Sequence, residues 1–306
     1  MLLQIGLQLL MPAVFMTMLW RTRYSSKLKW FADTLVFFLA IFFAFVTARW
    51  DLTSYYLRIV LLPLFALVSY FAYCKIVPGE PASALTNRTR EHANSLISII
   101  LITFLGWLNI SALSGYLYPG EAVTLAYPLR NGVYYVGGGG NNRWINNHNA
   151  YPPQDYALDI VQLGFLGNPL SIDNQTNLER YAIFGNPVYS PCNGTVITIV
   201  DGLPDQLPPK RDTVNLAGNY VLIACYDVEV LLAHLKQHSI VVNPGDIVKE
   251  GNEIGAVGNS GNTSQPHLHI HAERGGAEGV ILDGFGVPMT FYNRFLVRNN
   301  LFMGDN

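Results

Sequence analysis

The hydrophobic pattern of the chain changes character near its middle. Before residue 118, apolar residues gather in four long runs, roughly Leu2 to Trp20, Phe31 to Val46, Leu57 to Tyr73 and Leu96 to Leu113. Each lies at or near the length that crosses a bilayer as a helix, and only Asp33 and Arg58 intrude, both near run ends where a charged head can reach the interface. After residue 120 the pattern turns to short β-branched and aromatic runs punctuated by Gly, Pro, Asn and Asp, the signature of antiparallel sheet. Expected strands are Gly132 to Val136, Gly194 to Val200, Tyr220 to Tyr226, Glu229 to His234, Glu253 to Val257 and His267 to Ala272. A helical period returns only at Met289 to Arg298, which predicts a short closing helix. The expected organisation is therefore a four-helix transmembrane region over 1–118 and a mainly-β domain over 119–306.

Charge separates the same two regions and sets an orientation. Residues 1–118 hold nine Lys/Arg against four Asp/Glu, and the remainder holds ten against seventeen. Arg21, Arg23, Lys27 and Lys29 lie between the first two runs, and Lys75, Arg88 and Arg90 lie between the last two. The middle loop offers only Arg49 with Asp51. The positive-inside bias makes the two richer loops cytoplasmic, with both chain ends outside. A cleavable signal peptide fits poorly, because no basic segment precedes the first run and three more runs follow it. Tyr116, Tyr118 and Pro119 mark the exit from the membrane. Cys74 falls near the cytoplasmic face, whereas Cys192 and Cys225 lie in stretches read as adjacent strands, where an oxidising compartment permits a disulfide. The outer domain is acidic and has no basic stripe, which argues against nucleic acid as a partner.

Candidate chemistry concentrates in Gly258-Asn-Ser-Gly-Asn-Thr-Ser-Gln-Pro-His267-Leu-His269-Ile-His271. Side chains at i and i+2 of a strand leave one face about 6.5 Å apart, so His267 and His269 enter one space. They can share a metal, or one can bind it while the other works on a reacting water. Asn146-Asn147-His148 lies in a long loop, Gly137 to Pro153, and a second long loop is expected over Gly164 to Asn177. Asp159 opens a strand, and His234 closes the apolar stretch Leu231-Leu232-Ala233-His234-Leu235. Four imidazoles and a carboxylate are a donor set suited to zinc. The glycine run 137–140 lacks the Lys-Ser/Thr of a phosphate loop and reads as a hinge at the cleft.

The ordered motifs Tyr-Ala-Leu-Asp159-Ile, Phe184-Gly-Asn-Pro-Val-Tyr-Ser-Pro-Cys-Asn-Gly194-Thr-Val, Ala233-His234-Leu, Pro244-Gly-Asp-Ile-Val-Lys-Glu-Gly251 and Gly255-Ala-Val-Gly to His267-Leu-His269 resemble the lysostaphin/LytM-type zinc metallopeptidases. These cut peptide cross-links in bacterial cell walls. The resemblance spans about residues 145 to 275 and is silent on the membrane half. It implies Zn²⁺ held by His148, Asp159 and His269, with His234 and His267 as catalytic histidines beside the reacting water and the scissile carbonyl. One departure stands out: the family usually has His-x-x-x-Asp, whereas Asp155 stands four before Asp159 and the nearest upstream histidine is His148, eleven before it. Asn149 to Tyr156 then reads as an insertion, with Asp155 as the rival ligand. His271, where the family often has Glu, reads as a supporting neighbour. The implied protein is a multi-pass enzyme of the bacterial cytoplasmic membrane, with its peptidase domain on the periplasmic or extracellular side and wall stem or cross-link peptides as substrate. Two alternatives remain: a non-catalytic relative that activates wall amidases, and a peptidase for a protein substrate.

Overall fold

The computed structural model describes residues 5–77, 86–170 and 177–304, with side chains from residue 95 onward in the helix that begins at Thr86. The chain forms two compact units, Met1–Leu113 and Ser114–Asn306. Residues 171–176 of the predicted loop Gly164 to Asn177 lie outside the described residues, as do the side chains of Arg88 and Arg90.

The first unit is helical. Among the described residues three helices are long and apolar enough to cross a membrane, Lys27–Thr47, Tyr55–Cys74 and Ser95–Ser114. Two of these helices have a serine cap: Ser26 accepts the Leu28 N–H, and Ser54 accepts the Tyr56 N–H. The expected count of four is thus corrected to three. The first run instead gives a π-helical turn, Gly6–Leu10, followed by the 11-residue helix Met11–Arg21. Pro12 has no N–H for the carbonyl four residues back, and the turn before it widens, with the Met11 N–H reaching the Gly6 carbonyl. The turn and the helix are continuous, and the described part of this run, with Leu2 to Gln4 outside the described residues, falls short of the roughly 20 residues that typically cross a bilayer core. Leu19, Ile41, Trp50, Leu61 and Phe65 are buried within the unit. Val14, Phe31, Val60, Leu67, Ile99 and Trp107 are among the large apolar residues left exposed. An exposed apolar surface of this extent suits lipid and not water.

The second unit is an antiparallel sheet domain. Its strands are β1 (Val123–Leu125), β2 (Val133–Gly138), β3 (Leu158–Gln162), β4 (Pro187–Tyr189), β5 (Gly194–Val200), β6 (Asn219–Cys225), β7 (Val228–Leu235), β8 (Ile247–Val248), β9 (Glu253–Ala256), β10 (Leu268–Arg274), β11 (Phe285–Val287), β12 (Met289–Phe291), β13 (Arg294–Phe295) and β14 (Leu301–Met303). The main sheet runs β14-β2-β3-β10-β7-β6-β5-β8, with β11 also on β10 and β4–β9 as a separate ribbon. Val136, Leu158, Ile160, Ile223, Val230, Leu232, Leu268 and Ile270 belong to its buried core. Strand β10 lies between β3 and β7, with His269 opposite Asp159 on one side and Ala233 on the other. Cys192 and Cys225 form a disulfide, Cα atoms 5.9 Å apart.

Two further expectations change. The closing helix over Met289 to Arg298 is instead the hairpin β12–β13. Tyr292 and Asn293 both take left-handed backbone, φ 46° and 63°, which turns a two-residue hairpin and stops a helix. β12 also pairs in parallel with β1, so long-range pairing overrides a local 3.6-residue period. The glycine run is no hinge: residues 137–140 are buried and the first two continue β2. A Cβ on Gly139 would stand 2.6 Å from the Leu158 side chain, so a larger residue there would have to displace its packed neighbours.

Candidate metal centre

His148, Asp159 and His269 come together. One ligand atom from each lies within 4.8 Å of the others. His148 sits in the 3₁₀ turn Asn147–Ala150, and a second short turn, Pro152–Gln154, brings the chain back to β3. The residues between His148 and Asp159 thus fold as an excursion that returns, and Asp155 is not in the cluster. Asn146 holds the excursion in shape. Its buried amide donates to the carbonyls of Gly140, Asp155 and Ala157, and its oxygen accepts the His148 N–H. Opposite Asp159 stands Gly138, where a Cβ would lie 3.3 Å from Oδ2.

The carboxylate is the hub. His148 Nε2 lies 3.0 and 2.9 Å from the two Asp159 oxygens. His269 Nδ1 lies 3.1 Å from Oδ1, and His267 Nε2 lies 3.4 Å from it. Burial opposes charge on Asp159, yet His148 and His267 outweigh burial and hold its carboxyl well below the usual carboxylate range. Burial likewise opposes charge on His148, but Asp159 prevails and raises it. For His269 burial wins over Asp159, which lowers it to about 3.

The arrangement fits a divalent cation. His148 Nδ1 meets Gln154 Oε1 at 3.1 Å, an oxygen that only accepts, so Nδ1 carries the ring's first proton. Nε2 then offers the carboxylate either a second proton or, with a cation between them, a lone pair. Two imidazole nitrogens and a carboxylate converging in this way are zinc-type donors, and three such donors would leave a coordination position open.

His234 and His267 face the same space from other elements, their ring centroids 4.7 Å apart. His234 stands near the end of β7 with φ 62°, a conformation costly for a non-glycine residue. Its N–H reaches the Ala217 carbonyl and its own carbonyl accepts the Gly258 N–H, which holds the unusual backbone in place. The loop from Gly258 to Gln265 also orients the rings. His234 Nδ1 meets the Ser260 carbonyl at 2.9 Å, and His267 Nδ1 meets the Gln265 carbonyl at 2.8 Å. Both Nδ1 atoms therefore carry protons; His234 Nε2 is left to accept, whereas His267 Nε2 faces Asp159 Oδ1 at 3.4 Å. Burial, with His267 and His269 beside it, holds His234 well below the ordinary imidazole range, so it stays neutral.

Four residues of this site escape a sequence reading: Gln154, Asn146, Ser260 and Glu273. Ser260 acts through its backbone, and Gln154 and Asn146 act inside a loop with no period to reveal them. Glu273 had a signal, because it extends the alternation of His267, His269 and His271 by one more step.

Residues 178–279 match the model of Peptidase family M23. That stretch includes His234, His267 and His269 and begins after His148 and Asp159. No match is found among curated proteins. Among solved structures, the chain is similar to a zinc-containing peptidase from Vibrio cholerae, with 22% identity over 49% of this chain and 37% of that one and a TM-score of 0.31. LytU is 30% identical over 32% of this chain and 60% of its own, with a TM-score of 0.25. Lysostaphin from Staphylococcus simulans is 20% identical over 51% and 47%, with a TM-score of 0.30. The chain thus spans less than two thirds of each of these structures. The stretch from Leu178 to Gly279 carries the Peptidase family M23 pattern, and the resemblance to the lysostaphin-type peptidases stands on it.

Proposed function

We infer that the sheet unit is a zinc-dependent endopeptidase and that its substrates are stem or cross-link peptides of peptidoglycan. The observation that carries this reading is the convergence of His148 Nε2, Asp159 and His269 Nδ1, with two further imidazoles, His234 and His267, facing the same space. The match to Peptidase family M23 supports the reaction class.

His148, Asp159 and His269 would hold the zinc. When bound, zinc lowers the pKa of water to about 7 and polarises a carbonyl. The remaining work falls to the protein's own groups. His234, neutral and with Nδ1 tied to the Ser260 carbonyl, can take a proton at Nε2. His267, tied in the same way to Gln265, presents a second Nε2 that can stabilise the developing oxyanion once protonated or pass a proton to the leaving amine. Fixed tautomers on both rings mean that no imidazole has to reorganise during the reaction.

The apolar helices support a membrane location for this activity. Arg21 to Lys29 and Lys75 flank the spans Lys27–Thr47 and Tyr55–Cys74 on one side, and the positive-inside bias makes that side cytoplasmic. Ser114 then leaves the third span outside, so the outward orientation of the sheet unit does not depend on the first apolar run. The Cys192–Cys225 disulfide belongs to an oxidising compartment and favours the same side.

The test uses full-length protein in detergent with purified sacculi, and released peptides are identified by mass. Release that a chelator abolishes and added zinc restores is the expected result. Intact sacculi with zinc-loaded protein would overturn the reading, and stimulation of a wall amidase in the same assay would replace it with the regulatory one.

A further inference from the structure

The face of β10 that carries His269 continues through His271 and Glu273. Residues two apart on a strand line one face, and here they touch in series. His269 Nε2 meets His271 Nδ1 at 2.9 Å, and His271 Nε2 meets Glu273 Oε1 at 2.9 Å. All three side chains are buried, with residue exposures of 3%, 1% and 5%, so protein groups govern their protons.

The proton positions follow from the glutamate end. Glu273 Oε1 also accepts the Leu282 N–H at 2.8 Å, and Oε2 accepts the Gly284 N–H at 2.9 Å. Backbone amides only donate, so the carboxylate is an acceptor on both oxygens and His271 Nε2 is the donor to it. An imidazole with one N–H donates at one nitrogen and accepts at the other, so with Nε2–H committed to Glu273 the His271 Nδ1 presents a lone pair. That lone pair needs a donor, and the only atom facing it in the series is His269 Nε2. His269 Nδ1 is then bare, and it is the atom that faces Asp159 Oδ1 at 3.1 Å. Two acceptors at that separation repel each other unless a cation lies between them.

We propose that Glu273 and His271 are positioning residues that fix His269 in its Nε2–H tautomer and so keep Nδ1 open for the metal. This rests on the zinc reading above and deepens it. A histidine that ligates a metal commonly donates its other N–H to an oxygen acceptor. Here a second imidazole takes that place and passes the constraint to a carboxylate one strand step further on. The Gly275–Gly284 segment folds back so that its amides anchor the far end. A glutamine at 273 could not reproduce this, because its NH₂ would face either the Gly284 N–H or the His271 N–H, donor against donor.

The test reads tautomers and metal affinity in the full-length protein in detergent, labelled with ¹⁵N at its seven histidines. In the metal-free protein, two-bond ¹⁵N–¹H spectra should show His269 and His271 both protonated at Nε2. Glu273→Gln should move His269 toward Nδ1–H and weaken zinc binding about 10- to 100-fold in competition with a chromophoric chelator. His271→Phe should weaken zinc binding to a similar degree, and adding Glu273→Gln to it should cost less than about twofold more, since the connection is already cut. Predominant Nδ1–H on wild-type His269, zinc affinity of Glu273→Gln within about twofold of wild type, or fully additive losses would each overturn the proposal. The tautomer measurement needs no variant, so a misfolded substitution does not remove the test. Zinc held normally by the Glu273 variant but lost in His269→Ala would sink the relay alone, whereas failure of wild-type protein to bind zinc would sink the metal reading with it.

Discussion

Two sides of the candidate centre meet the same carboxylate by opposite means. His148 reaches Asp159 from a 3₁₀ turn in a loop, its side chain 17% exposed, and its other nitrogen rests on a neutral amide oxygen. His269 reaches it from a strand paired on both edges, its side chain 4% exposed, and its other nitrogen rests on a second buried imidazole. Both rings are opposed by burial, yet Asp159 raises His148 while burial lowers His269 to about 3. The difference teaches where the proton of the metal-free centre sits. The loop side accepts charge, and the strand side is built to refuse it.

The largest effect expected is loss of the metal. His148→Ala and His269→Ala should each abolish stoichiometric zinc in elemental analysis of the purified protein. The comparison sharpens in the thermal melts: His269→Ala, which empties a packed strand position, should lower Tm more than His148→Ala on its loop. An equal or reversed ranking would mean that the strand side is no more rigid than the loop side. Next in size, His234→Ala and His267→Ala should retain zinc and lose turnover by about 10²- to 10⁴-fold. Full activity in either variant would remove that histidine from the reaction.

The smallest effect concerns pH and the metal-free protein. His234, His269 and His271 are all lowered in the fold, chiefly by burial. Each contributes stability that is complete above its unfolded value of about 6.5 and is lost as pH falls below it. His148 is raised, so its contribution is complete below about 6.5 and is lost as pH rises through its folded value. Asp159 and Glu273 are lowered and stabilise throughout this window, since both contributions fade only under more acidic conditions. Three lowered rings against one raised ring predict that chelated protein melts a few degrees lower at pH 5.5 than at pH 7.5 (about 2–4 °C for each kcal/mol). A higher melting point at pH 5.5 would show that the loop-side proton dominates.

Much of this centre was legible because strands have a period of two. His267 and His269 share a face in any extended chain, so the sequence announced them as partners, and Glu273 could have been found by reading the alternation one step further. His148 was one of the candidate imidazoles, but its pairing with Asp159 was legible only through the family resemblance, since a histidine in a loop has no periodic neighbour. Gln154 and Asn146 were hidden for the same reason. The closing helix failed because two adjacent left-handed residues, Tyr292 and Asn293, and pairing with β1 outweighed a local helical period. The first apolar run had the composition of a span, but Pro12 interrupted the hydrogen-bond ladder that composition alone does not register.

The division into an apolar helical part and a sheet part was written locally, because bilayer-length apolar runs and alternating strands are properties of neighbouring residues. So was the type of donor available, imidazole and carboxylate. Which donors meet was settled by long-range packing. Asp159 lies 110 positions from His269, and their contact exists because β3 and β10 pair in one register, a long-range outcome that no local pattern encodes. The tautomers were decided at the same level, since each imidazole takes its proton position from whichever carbonyl, amide or carboxylate the fold puts at its other nitrogen.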